Sequence, residues 1–511
     1  MFNSSPKAYD MSPLKDADSS RSVAAFRGVF WSAVNIVVPT AVSLLVFVVT
    51  SRLLTPADFG VVALAATIAA AASSIVPSGF GDALVQSMRR DPLYLSSVFW
   101  LCLGCGVVAY AVLGASTSVV ARIFGAPLLV QLIPVLGIRV IVDAVGVVPT
   151  ALLTQTLAFR LIALRTAVAS IVAAAISIEL VLKGLGVWAL VASLLATSVV
   201  SAIATFWTIR WTPRLVFSTT ALRDLKGYGV YASGTKTLLF LWNQADQMIV
   251  GFVLGAGQLG IYNFSRRIFS IITDISSGAL GAVAHPFFAG IKDDTDRVRS
   301  GFLSATFLAS VLAFPIFIGL ATVADRAIPL IFGYQWAAAL WPIRVLCILG
   351  VITCIGTLQA GLINSLGKAK WWFYYQLFTG LVNIPIIAIC APRGTILMLS
   401  VLVAKTYLFW PVPVVMTLRL LKLSALQYFG QFIAPLAAAC FMAFVIYGGR
   451  RLLSEHTSPV LNLTCDVLFG LVSYFIFILM FAKERLLKMA RILRGFIGRD
   501  KKVSAVVKVA G

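Results

Sequence analysis

The sequence predicts an all-α integral membrane protein of about fourteen transmembrane helices, and three observations lead there. Of the 511 residues, 60% are hydrophobic and only 12% are charged, with a mean hydropathy of +0.97. A soluble chain of that composition could not hide its apolar surface in one core. Apolar runs of ~20 residues recur along it, each long enough to cross ~30 Å of hydrocarbon as a helix. The basic residues fall mostly in alternate connections, as expected when loops take sides of a membrane.

The runs lie near 26–50, 61–84, 95–121, 127–152, 163–182 and 186–208, then near 228–253, 262–285, 302–323, 340–366, 371–391 and 394–418, with two more near 427–448 and 460–481. Arg, Pro and Gly punctuate them. The expected organisation is a cytoplasmic N-tail 1–24, an N-lobe of six spans over 25–208, a basic cytoplasmic linker 209–227, a C-lobe of six spans over 228–418, a helix pair within 424–481 and a basic cytoplasmic C-tail 482–511.

A formal charge of +22 raises the question of nucleic acid, and the placement of the charge answers it. Lys and Arg cluster in the tails and near Arg89-Arg90, Arg160 to Arg165, Arg210 to Lys226, Lys292 to Arg299, Lys368 to Lys370 and Arg419 to Lys422. This is the positive-inside pattern of a bacterial inner-membrane protein with both termini cytoplasmic, and it leaves no nucleic-acid partner. Lys483, Arg485, Lys488, Arg491 and Arg494 read as an anchor on anionic lipid. The polar first 22 residues lack a cleavage pattern, so span one is expected to act as signal anchor. All seven cysteines lie in apolar stretches, and Cys102 with Cys105, though spaced C-x-x-C, have no His or Cys nearby to complete a metal site. They read as small packing residues, and neither metal nor cofactor is expected.

The two sets of six spans look like copies, and transporters often place a substrate between such repeats. Residues 51–60 (SRLLTPADFG) align without gaps on 251–260 (GFVLGAGQLG) at an offset of 200. Ile123-Phe124-Gly125 with Pro134 recurs as Ile331-Phe332-Gly333 with Pro342 at an offset of 208. Both matches keep span order. An even number of spans per copy makes the repeats parallel.

A charged side chain within a span costs about 2.5–3.5 kcal/mol at mid-membrane unless it meets a partner or a wet cavity. In span eight, Arg267, Ser270, Asp274, Ser277 and Gly281 form one helical stripe that cannot face lipid. In span seven, Lys236, Asn243 and Gln247 share a face, with Asp246 beside them. Span one carries Ser32, Asn35, Pro39 and Ser43, and the proline permits a bend. Arg139, one turn before Asp143, reads either as a packing ion pair or as a cavity group, and Arg344 either as a cavity group or as a snorkelling interfacial one. The candidate substrate-binding residues are Lys236, Arg267, Lys405, Arg139, Arg344, Asn35 and Asn243, and the candidate coupling groups are Asp246 and Asp274. With Arg266, the intramembrane cations outnumber Asp143, Asp246 and Asp274. An anion such as a diphosphate is the natural guest, since guanidinium grips phosphate in bidentate fashion.

Five strings, Arg52-Leu53-Leu54-Thr55-Pro56-Ala57-Asp58-Phe59-Gly60, Gly79-Phe80-Gly81-Asp82-Ala83-Leu84-Val85-Gln86, Gly184-Leu185-Gly186-Val187-Trp188-Ala189-Leu190-Val191, Asn243-Gln244-Ala245-Asp246 and Leu259-Gly260-Ile261-Tyr262-Asn263, resemble the Wzx-type polysaccharide-export flippases of the multidrug/oligosaccharidyl-lipid/polysaccharide exporter superfamily. The likeness is nearest to the colanic-acid and succinoglycan exporters and weakens after about residue 370. It implies two six-helix lobes forming a V around a central cavity, bent first and seventh helices, and alternating access for an undecaprenyl-diphosphate-linked repeat unit. Export of exopolysaccharide or lipopolysaccharide units would make a polysaccharide polymerase and co-polymerase the expected partners. The family has no catalytic set to carry over, and its cationic cavity role falls on Lys236, Arg267 and Lys405. Arg52 and the glycine motifs look like structural turns.

A drug or cation exporter of the same superfamily would want an acidic, aromatic cavity, against the cationic excess. A membrane-embedded glycan polymerase or ligase would need a sizeable outer loop with catalytic groups, and the outer loops are short. A scramblase would need no coupling carboxylate. There is no Walker A string, and the two histidines, His285 and His456, stand apart. The chain is therefore expected not to be an enzyme and to draw energy from an ion gradient, the membrane potential or the substrate's own concentration difference.

Overall fold

The structure, a computed structural model, describes residues 31, 34–35 and 37–509 apart from 157, 291–293 and 453–457. Its regular elements are all helical: α1 (Val37–Leu53), α2 (Pro56–Ile75), α3 (Gly79–Ser87), α4 (Pro92–Ile123), α5 (Leu129–Gln155), α6 (Phe159–Leu182), α7 (Val187–Ile209), α8 (Thr219–Gly290), α9 (Thr295–Phe332), α10 (Leu340–Ser365), α11 (Ala369–Cys390), α12 (Thr395–Phe409), α13 (Pro411–Leu421), α14 (Ala425–Leu452) and α15 (Pro459–Val509). Twelve described helices are long and apolar enough to cross a membrane, and α1 is a shorter apolar one. The chain is a multi-pass membrane protein.

The longest helix resolves the count. Helix α8 is interrupted at Gly255, whose φ of 75° and ψ of 177° no ordinary side chain favours. The Tyr262 hydroxyl donates to Asp246 at 2.5 Å, Arg266 also reaches Asp246, and Leu259 packs on Gly251. Each of these pairs is centred close to residue 255, so α8 is an antiparallel hairpin that reverses at one glycine. With its limbs 219–254 and 256–290 counted separately, and α1 added, the described residues hold fourteen spans.

The expected linker is shorter than its sequence indicated. Only 210–218 is irregular, because Ala221 and Leu225 bury themselves against the N-lobe and start α8 at Thr219, while Arg223, Asp224 and Lys226 stay outside. Cys102 lies in the same apolar cluster, consistent with a packing role, and no group of three His, Cys, Asp or Glu occurs among the described residues. Residues 1–30, Ser32 and His456 lie outside the described residues, and the side chains of Ser277, His285, Lys488, Arg491 and Arg494 are likewise outside them, as is the environment of Gly281.

The motifs from which a repeat is expected meet in the structure. Helix α2 opens with a reciprocal cap, in which Thr55 Oγ1 accepts from Asp58 N at 3.3 Å and Thr55 N donates to Asp58 Oδ2 at 2.9 Å, with Pro56 at the first helical position. Its Gly60 crosses the second limb of α8 at Gly260. A Cβ at either glycine would overlap a carbonyl oxygen of the other helix, that of Ala256 or of Pro56. Gly125 and Gly333 both adopt positive φ, 59° and 107°, at the ends of α4 and α9. Arg52 donates to the terminal carbonyls of α9, at 2.7 Å to Ile331 O and also to Leu330 O, which is the structural role its motif implied. From this crossing α2 and α3 run antiparallel along the first limb of α8. Thr67 donates to Gln247 at 3.0 Å, Thr237 to the Ser74 carbonyl at 2.6 Å, and Gly79 N to Ser233 Oγ at 3.0 Å.

Candidate functional site

At the far end of that polar seam the helices open into a cavity of about 700 Å³, walled by α3, α5, α6, α7 and the first limb of α8. Lys236, from α8, forms an ion pair with Asp82 of α3 at 2.6 Å, both side chains a little under half exposed. Asp82 lies in the first turn of α3, where the helix dipole favours a carboxylate. Arg139 and Asp143, one turn apart on α5, pair at 3.3 Å on the same wall. The two readings of this pair therefore coincide, since it is neutralised and also lines the cavity.

A third cation was hidden by its neighbourhood in the sequence. Arg165 reads there as part of a basic connection, but α6 starts at Phe159 and carries it nearly two turns inward. Its Nη1 donates to Thr205 Oγ1 at 3.0 Å and Thr150 Oγ1 at 3.3 Å, and its buried Nε has no hydrogen-bond partner. Asp82 was equally hidden, inside a glycine motif that read as a turn. The signal that would have found it is a carboxylate within the apolar run 61–84. Hydroxyls of Thr150, Thr197, Ser198, Ser201, Thr205 and Tyr228 line the remaining wall.

A second polar surface holds the stripe of the eighth span. Arg267, Ser270 and Asp274 all stand on one exposed face of the second limb, Ser270 Oγ lies 3.5 Å from Asp274 Oδ2, and Arg267 reaches Ser43 on α1. Helical periodicity thus placed Arg267 and Asp274 together, with Ser43 as the bridge from the first span.

Other candidates are dispersed. The expectation that Asp246 sits beside Lys236 and Asn243 is corrected. Asp246 turns to the second limb, where Tyr262 and Arg266 hold it, while Lys236 turns to Asp82. Sharing a face on one helix does not say which neighbour each residue meets. Asn243 is exposed on the first limb, and the buried amide oxygen of Asn35 has no hydrogen-bond partner. Lys405 is held within the C-lobe, its ammonium 3.5 Å from the Thr379 carbonyl and 6.0 Å from the centre of the Phe409 ring. Arg344 donates to Ala321 O at 3.1 Å and lies 3.8 Å from Asp325.

Asp325 leads into a network the sequence reading missed. Arg450 pairs with Asp325 at 2.8 Å and with Asp466 at 2.9 Å, and Arg326 pairs with Asp466 at 3.0 Å. Asp466 is 1% exposed. These groups fasten α14 and α15 to α9, with Arg344 of α10 joined through Asp325. They escaped notice because Asp325 and Arg326 fall just past the span at 302–323 and Arg450 just past that at 427–448.

A family profile described as "Polysaccharide biosynthesis protein" matches residues 49–340, more than half of the chain. The succinoglycan biosynthesis transport protein ExoT of Rhizobium meliloti (strain 1021) is 27% identical over 483 residues, covering 91% of this chain and 95% of ExoT. The fold is that of the lipid II flippase MurJ in an inward closed conformation, with a TM-score of 0.72 at 13% identity over 90% of this chain and all of MurJ. It is shared more loosely with an inward-facing MATE family transporter of the MOP superfamily, at a TM-score of 0.57 and 16% identity over 77% of this chain and 99% of the other. A fourteen-span bundle, a polar cavity between its helices and a profile match of this extent place the chain in the polysaccharide biosynthesis protein family.

Proposed function

We propose that this protein flips an undecaprenyl-diphosphate-linked oligosaccharide across the bacterial inner membrane, with both termini cytoplasmic. The observation that carries this reading is the pairing, inside a membrane-spanning bundle, of a hydroxyl-walled cavity in the N-lobe with a separate exposed face that carries Arg267. Arg267 supplies a cation for the diphosphate, and the cavity's hydroxyls replace the water that sugars lose in crossing. Lobes corresponding to 25–208 and 228–418 rock about the Gly60–Gly260 crossing to give alternating access. Arg267, exposed on the inter-lobe face, receives the diphosphate, and Asp274 beside it couples the movement to protons. Polysaccharide polymerase and co-polymerase take the product on the outer side.

The test is flipping by the purified protein in proteoliposomes of a fluorescent polyprenyl-diphosphate oligosaccharide, read as loss of signal to a membrane-impermeant quencher. Native protein should accelerate it and Arg267→Ala should not. Equal rates in empty liposomes and proteoliposomes would overturn the reading.

A further inference from the structure

The cavity in the N-lobe has a charge balance that a diphosphate does not match. Lys236 is neutralised by Asp82 at 2.6 Å and Arg139 by Asp143 at 3.3 Å. What remains is one positive charge, on Arg165, whose contacts are the hydroxyls of Thr150 and Thr205 and whose buried Nε is unsatisfied. A guanidinium in that position is poised for one carboxylate. A diphosphate would bring at least two negative charges to a site with one uncompensated cation, and the desolvation penalty of the excess would stand against it. The wall around Arg165 is made of neutral hydroxyls, the partners that sugar hydroxyls need, and the volume of about 700 Å³ is that of a small-molecule site.

Resting on the flippase reading, we infer that this cavity is a glycan subsite that selects a repeat unit carrying an acidic sugar, with Arg165 binding its carboxylate and Thr197, Ser201 and Tyr228 facing the ring hydroxyls. The diphosphate lies elsewhere, on the face that holds Arg267. Lys236 and Tyr228 come from α8 and the other groups from the N-lobe, so the subsite is complete only while the seam between α3 and α8 is closed.

Two synthetic polyprenyl-diphosphate tetrasaccharides, identical except that one carries glucuronic acid where the other carries glucose, separate this inference from the reading beneath it. Native protein should reach half-maximal flipping at an about 10-fold lower concentration of the acidic compound, the share of one charge-assisted hydrogen bond. Arg165→Gln should erase that advantage, costing the acidic compound about 10-fold more than the neutral one, and Arg165→Lys should restore part of it. Equal handling of the two by native protein, or an equal loss of both in Arg165→Gln, would overturn the subsite while leaving flipping intact. Failure of native protein to flip either compound overturns the flippase reading instead. If Arg165→Gln does not reach the membrane, calorimetry on detergent-purified native protein with lipid-free oligosaccharides decides. The acidic one should bind and its neutral twin and inorganic diphosphate should not, and equal heats from inorganic diphosphate would count against an acidic-sugar site.

Discussion

Gly60 of α2 and Gly260 of α8, which align at the 200-residue offset, meet where their helices cross, each leaving room for the other helix's backbone. Because the obstacle at both is a carbonyl oxygen rather than a flexible side chain, a methyl group can enter only if the helices separate. Gly→Ala in a free helix would stabilise by about 0.5–1 kcal/mol. Here Gly60→Ala and Gly260→Ala should each lower stability by about 1–3 kcal/mol, as overpacking does. The check is thermal unfolding in detergent, and an unchanged or raised midpoint in either variant would remove the crossing as the pivot of the lobes.

The Lys236–Asp82 pair is partly exposed to the cavity, so its contribution to stability should be small, about 0–1 kcal/mol. Lys236→Gln and Asp82→Asn should leave membrane abundance near native and still lower flipping. The exchanged pair, Lys236→Asp with Asp82→Lys, should keep abundance and the ion pair but move the charge to the wrong wall. Recovery of transport by the exchanged pair would mean that it serves only to hold α3 against α8.

The opposite balance holds at Asp466. Buried and shared by Arg326 and Arg450, it leaves Arg326 without the carboxylate it pairs with, and Arg450 with Asp325 alone, if neutralised. Removing one partner of such a buried group costs about 3–5 kcal/mol. Asp466→Asn should therefore sharply reduce folded protein in the membrane, whereas Arg139→Gln, at a more exposed pair, should not. Comparable abundance of the two variants, measured by fluorescence-detected gel filtration, would contradict the network's role in docking α14 and α15.

These cases show what the sequence makes legible. Apolar runs and punctuation locate spans because lipid demands long apolar helices whatever their neighbours. The offset of 200 residues anticipates the Gly60–Gly260 contact because a duplicated backbone reproduces its own close approaches. Partners are another matter. Periodicity gathers Arg267, Ser270 and Asp274 correctly, since they share one helix, but it sets Asp246 beside Lys236, when a hairpin at Gly255 hands Asp246 to Arg266. Asp82, Arg165 and Asp466 went unread for a related reason. Asp82 lies inside a motif already given a meaning, Arg165 where a run meets its punctuation, and Asp466 as a lone carboxylate within the run 460–481, and only packing shows that each points inward.

Sidedness follows from which connections share an end of the bundle. Arg89 and Tyr94 meet Asp224 at 3.8 and 2.6 Å, and Trp100 donates to Arg214 O at 2.8 Å, so the connections at 88–91 and 210–218 lie together. The junctions at 54–55 and 333–339, joined by Trp336 donating to Ser51 O at 2.8 Å, lie one span away. Reporter fusions after Arg90, Arg214 and Arg299 should report cytoplasm, and fusions after Lys183 and Arg451 the outer side. One consistent inversion would turn the protein over, and the glycan subsite would then open first to the wrong compartment.

The two candidate coupling carboxylates are held differently, and this yields an asymmetric prediction. Asp246 is fixed by the Tyr262 hydroxyl and by Arg266 inside the α8 hairpin, with its side chain 18% exposed. These contacts tie the two limbs together, so the carboxylate serves the hairpin. Asp274 stands on the exposed face it shares with Arg267, about two turns away, its contact in that stripe being Ser270 at 3.5 Å. On the proposed mechanism, an anionic head group that claims Arg267 acts on the same helical stripe as Asp274, which is where proton entry would be linked to cargo binding. Asp274→Asn should abolish the acceleration of flipping by an imposed pH difference while leaving the basal rate and abundance near native. Asp246→Asn should instead lower abundance and leave the residual protein responsive. Proteoliposomes with and without a pH step, normalised to inserted protein, separate the outcomes. A full response in Asp274→Asn would assign coupling to another group or to the membrane potential, and a lost response with normal abundance in Asp246→Asn would return the role to the hairpin.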